Sequence, residues 1–154
     1  MGRRRIALAL AGSLAAMGIG AAGFAADDQA TIKNIMGENF AVLQTILAAL
    51  ITSNYDAVPE HVELIEQHAV ELTRMPPESD EADRKQFMLY AYSLQGHAID
   101  VNSIVEMLIE HDKAKKNGEA LNNDHLREAL AAHYGGMVTT CVACHNRFRQ
   151  TVVE

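Results

Sequence analysis

From Asp27 onward, apolar side chains recur at intervals of three, four or seven residues, with no sustained alternation. Ile32, Met36, Leu43, Leu47 and Leu50 form one stripe between Asp27 and Ser53, which predicts a first helix with those residues inward. Asn54-Tyr55-Asp56 reads as a turn. Pro59 fits the first turn of a second helix, where its missing N–H costs nothing. Val62, Ile65, Ala69 and Leu72 make that helix's inner face, and it must end before Pro76-Pro77. Ser79 or Asp80 can cap a third helix, with Glu81 and Asp83 in its first turn. Its inner face is Phe87, Ala91, Leu94, Ala98, Val101, Val105 and Leu108. Lys113, Lys115 and Lys116, followed by Asn117-Gly118, mark its stop. Asn123 or Asp124 can start a fourth helix carrying Leu126, Leu130, Met137, Cys141 and Phe148, weakened in the middle by Gly135-Gly136. Four amphipathic helices with short connections predict an all-α domain, an antiparallel up-down four-helix bundle. Its three long helices, of roughly 25 to 30 residues or about 40 Å, leave room for a sizeable group between them.

Residues 1–25 break this pattern. Arg3, Arg4 and Arg5 give a basic start, Ile6 to Gly20 is apolar, and Gly23-Phe24-Ala25 places small residues where a signal peptidase needs them. This predicts an export signal at 1–25, cleaved after Ala25, and a mature domain at 26–154 in the periplasm. The competing reading is a membrane anchor. No later segment reads as apolar enough to span a bilayer, so the expectation is no stable membrane insertion after cleavage.

The chain has 13 Lys and Arg against 20 Asp and Glu. Without its three N-terminal arginines the mature domain has 10 against 20, a net charge of −10. That argues against nucleic acid or anionic lipid as partners and permits docking to a basic protein. The acidic runs Glu60 to Glu71 and Glu78 to Asp83 read as solvated helix faces.

The two cysteines of the chain, Cys141 and Cys144, stand in C-x-x-C-H with His145. A disulfide or redox dithiol is one reading, but such pairs usually open a helix after a strand, and no strand is predicted. Zinc needs about four ligands. No second Cys or His pair has the usual spacing, although His125 and His133 share the fourth helix. The third reading is covalent haem attachment, with a thioether from each cysteine and His145 on the iron. Spacings of three and four place Cys141, Cys144, His145 and Phe148 on one side of a helix, as that chemistry requires.

The ending Cys141 to Arg149, CVACHNRFR, resembles the C-x-x-C-H-x-x-[FY]-R ending of the class II c-type cytochromes, the cytochrome c′ family. Asn54 to Ala57 (NYDA) resembles the turn that opens that family's second helix, and Leu72 to Pro76 (LTRMP) resembles that helix's end. The likeness spans most of the mature chain. It implies one haem c per chain, covalently attached at Cys141 and Cys144, with His145 as proximal ligand and Phe148 and Arg149 in the haem surroundings. The Trp that family members often carry on the third helix is absent, and Phe87 and Tyr90 are the residues available for that space.

The family divides on the sixth iron position. Low-spin members place a Met there and carry electrons. High-spin members leave it open and bind NO or CO. Met36 stands at the matching place, so the expectation is a periplasmic monohaem electron carrier passing single electrons between redox proteins. A gas-binding haem protein is the alternative. An enzyme such as a peroxidase would need a distal acid–base pair, which the first helix's apolar face does not offer. Met88 and Met107 lie off the centre of their stripe, Met137 is expected at the haem edge, and His97 borders an apolar face. His61, His68, His111 and His125 read as solvated. The resemblance also implies a homodimer through the first two helices, where Ile46, Ala48 and Ala49 flank the inner stripe.

Overall fold

The computed structural model describes residues 26–117 and 122–148. The expected export signal and Arg149 lie outside the described residues. Within them the chain is all-helical: α1 (Ala26–Ile51), a 3₁₀ turn (Tyr55–Ala57), α2 (Pro59–Leu72), α3 (Glu81–Lys116) and α4 (Asp124–Phe148). The four helices pack against one another, with α3 against both α2 and α4, and α1 against α2.

Each boundary has a local cause. Ser53, at φ 55°, takes the left-handed position after α1. The Asn54 N–H donates to the Ala49 carbonyl at 2.9 Å and the Ser53 N–H to the Leu50 carbonyl at 3.2 Å. This is a Schellman stop with serine in the usual glycine place. Pro59 opens α2 as its first residue. Asp80, rather than Ser79, caps α3, accepting from the Asp83 N–H at 2.8 Å. Lys113, Lys115 and Lys116 occupy its last turn, where cations favour the negative dipole end. The helix α4 runs unbroken through Gly135-Gly136.

Every residue expected on the inner faces of α2 and α3 is buried, as are Leu126, Leu130 and Met137 of α4. The first helix departs from expectation. Its buried residues are Ile35, Asn39, Val42, Leu43, Ile46 and Ala49, whereas Leu47 is 42% exposed. The series 35, 39, 42, 46, 49 is a regular helical face, but its second member is polar. Asn39 belongs there because His68 of α2 is buried too, its Nδ1 2.7 Å from the Asn39 Oδ1. The His68 Nε2 lies 3.3 Å from the Glu38 carboxylate. His68 is therefore a core residue joining α1 to α2, not a solvated one. Of the three residues expected to flank the core for dimer contact, Ile46 and Ala49 are inside it and only Ala48 is exposed.

The helix α1 over Asp28–Ile51 is also long and apolar enough to cross a membrane by length and composition. This corrects the expectation that no segment after the signal would be. The apolar content comes from two faces at once, a buried one and an exposed one with Phe40, Leu47 and Ile51.

The core divides into two clusters. The larger joins all four helices around Ile46, Ile65, Val101, Leu108 and Met137. The smaller, of Ile35, Leu72, Met75, Phe87 and Ala91, receives Ile32, Met36, Cys144 and Phe148 at its edge.

Candidate functional site

The last two turns of α4 bring Cys141, Cys144, His145 and Phe148 to the smaller cluster's end of the molecule, as their spacing predicts. Cys141 and Cys144 are half-buried free thiols. Cys141 packs on the larger cluster and Cys144 on the smaller. Phe148 meets Phe87 edge-on, at 5.5 Å between ring centroids, and Tyr90 at 6.3 Å. These are the two aromatics expected near the motif.

His145 is exposed, and its Nε2 lies 3.4 Å from the Sδ of half-buried Met36 on α1. Beside this pair lies a narrow apolar cleft of about 20 Å³, room for little more than one water, lined by Met36, Phe87, Tyr90, Leu94, Cys141 and Cys144 among others. A wider groove between α1 and α4, of about 620 Å³, reaches the same His145 and Cys141 from the side of Phe40, Leu47 and Val142. Away from this end, the Tyr134 hydroxyl donates to the Leu43 carbonyl at 2.9 Å and ties α4 to α1.

Burial raises both thiols. Cys141 is pushed up by desolvation, and Cys144 is pushed up to about 12 by desolvation first and by the nearby Cys141 charge second. Both stay protonated at neutral pH. A redox dithiol needs the opposite, a lowered pKa that stabilises thiolate. Shared metal ligation at the motif is disfavoured as well. Among the described residues, Cys141, Cys144 and His145 do not bring three donor atoms to one point, and the group that does is His97, Asp100 and His133. The donor set present suits a haem c: two free thiols at the wall of an apolar cleft and an imidazole facing a thioether. The cleft is nearly closed and the 3.4 Å separation is a contact distance, so α1 and α4 would have to part to admit the group.

Other candidates fall elsewhere. Met137 is fully buried in the larger cluster, against which Cys141 also packs, and lines neither cleft. Met107 is 45% exposed, and neither it nor Met88 lines the two clefts. His125 is exposed and His61 half-buried. His111 is half-buried rather than solvated, and its Nδ1 is shielded with no partner among the described residues.

Arg147 went unrecognised in the sequence. Its Nη2 and Nε donate to the Asp83 Oδ1 at 2.7 and 3.2 Å, fastening the motif-bearing end of α4 to the first turn of α3. Its guanidinium also lies 5.8 Å from the Phe148 ring centroid. The acidic first turn of α3 was the available signal. No protein-family model, curated protein or solved structure matches the chain.

Proposed function

We propose that this chain is an exported, periplasmic monohaem c-type cytochrome of the class II kind, which carries single electrons between redox proteins and folds as an antiparallel up-down bundle. The observation that carries this reading is the 3.4 Å approach of the His145 Nε2 to the Met36 Sδ, beside two unpaired thiols. Cys141 and Cys144 would hold one haem c through thioethers, and His145 and Met36 are the residues that would bind its iron. The haem supplies a reversible one-electron iron couple.

The chain's own residues set how that couple behaves. A thioether ligand from Met36 would favour the reduced iron and raise the potential. Phe87, Tyr90 and Leu94 give the cleft a largely apolar lining. Both cysteines are free thiols, the form from which the two thioethers would be made. His145 stands at an exposed edge, the natural place for a partner to dock, and a mature charge of −10 favours a basic one.

The test is covalent attachment. Expressed with export and a haem-attachment system, the wild-type protein should retain haem through extraction with acidic organic solvent, and Cys141→Ala/Cys144→Ala should release it. Wild-type protein without covalent haem would remove this reading. A high-spin ferric spectrum with immediate CO binding would instead favour the gas-binding alternative.

A further inference from the structure

A second set of donors converges on the face between α3 and α4. His97 and Asp100 lie three residues apart on α3, and His133 meets them from α4. The His133 Nδ1 is 3.1 Å from the Asp100 Oδ2 and 3.5 Å from the His97 Nδ1. The donor atoms of the three residues all fall within 4.8 Å of one another.

Each contact leans on the same atom, the His133 Nδ1, which carries at most one hydrogen. That hydrogen can serve Asp100 at 3.1 Å, which leaves the His97 Nδ1 at the 3.5 Å limit of a hydrogen bond. A cation at the centre would engage the lone pairs of all three residues at once.

We propose that His97, Asp100 and His133 bind a divalent ion of the late first transition row, for which zinc is the working probe. With bonds of about 2.0 to 2.1 Å, neighbouring ligands of a tetrahedral zinc stand ~3.3 Å apart. The observed 3.1 and 3.5 Å bracket that spacing. Two imidazoles with one carboxylate suit zinc, nickel or copper, whereas magnesium and calcium favour oxygen ligands. Three protein ligands leave one position for water or an outside ligand.

The fold holds the set in place yet open to solvent. A Cβ on Gly136 would lie 2.5 to 2.7 Å from three atoms of the His97 ring, so the glycine lets the α4 backbone lie directly against the imidazole. The side chains of His133 and Asp100 are 34% and 53% exposed, so an ion can enter without opening the core. His133 precedes Cys141 by eight residues, about 12 Å along the helix. A bound ion would clamp α3 to α4 on the stem that carries the cysteine motif. The site does not depend on what the cysteines carry.

The mature exported protein is titrated with zinc chloride by calorimetry, and its melting temperature is measured with and without zinc. One ion per chain is expected, with a raised melting temperature. His133→Gln and Asp100→Asn should each weaken binding at least tenfold and lose most of the thermal gain, whereas His125→Gln, on the exposed side of the same helix, should keep both. Absence of zinc uptake at micromolar concentrations would overturn the proposal. So would His133→Gln and Asp100→Asn proteins that bind as tightly as wild type.

Discussion

The Nε2 of His145 and the Sδ of Met36 lie 3.4 Å apart although 109 residues separate them in the chain. This contact brings the end of α4 to α1 beside the cysteines. With haem c attached, the ferric protein should be low-spin, with the weak far-red band of methionine–iron charge transfer, and CO should bind slowly because it must displace the sulfur. Met36→Leu conserves volume and should cost under about 1.5 kcal/mol. It should turn the iron high-spin and admit CO quickly. A wild type that is already high-spin, unchanged by Met36→Leu, would leave Met36 as a packing residue only.

The adjacent glycines of α4 should respond in opposite directions. A Cβ at Gly135 meets nothing within 4 Å, so Gly135→Ala should stabilise by about 0.8 to 1.0 kcal/mol through helix propensity. At Gly136 the same methyl would press into the His97 ring. Gly136→Ala should therefore lose that gain and destabilise the fold, and adding His97→Ala should restore much of it. Denaturant midpoints of the singles and the double measure this coupling. Additive effects would mean that the imidazole does not hold this position.

The Asn39–His68 pair offers a test of the core. The contact is 2.7 Å long and buried, and the Asn39 Nδ2 has no hydrogen-bond partner among the described residues. Asn39→Leu would complete an apolar face on α1 yet strand the His68 Nδ1. The expected loss is about 1 to 3 kcal/mol in urea unfolding. Replacing both residues by Leu should recover most of it, since two apolar partners leave no buried polar atom unpaired. A neutral Asn39→Leu single variant would show that His68 finds another partner.

These residues also show how far the sequence could be read. The inner faces of α2 and α3 were legible apart from His68 and Ile104, because the buried positions there, His68 excepted, are apolar and recur at helical spacing. On α1 the true face is interrupted by Asn39, so the neighbouring stripe of Met36 and Leu47 looked more continuous. His68 stands among glutamates, and its burial follows only from its partner on another helix. Cys141, Cys144, His145 and Phe148 were legible as one side of α4 from spacing alone. Met36 was singled out by resemblance as well as by position. The groupings of His97 and Asp100 with His133, and of Asp83 with Arg147, join separate helices, and no local spacing encodes them.

The cysteines supply a test that needs no haem. In the haem-free chain both thiols are held up by burial, Cys144 to about 12 from an ordinary value of 9.0. A folded pKa above the unfolded one favours the protonated form in the native state. The stability this confers is fully present below pH 9 and is lost as pH rises from there toward 12, where thiolates must be buried. Unfolding midpoints should thus hold steady to about pH 8 and decline above 9, with a smaller decline in Cys144→Ser. Iodoacetamide, which attacks thiolate, should label the native chain far more slowly at pH 8 than the chain in denaturant. A redox dithiol would behave in the opposite way, because its lowered pKa supplies thiolate at neutral pH. Rapid native labelling at pH 7 would therefore revive the dithiol reading of Cys141 and Cys144 and count against their role as haem anchors.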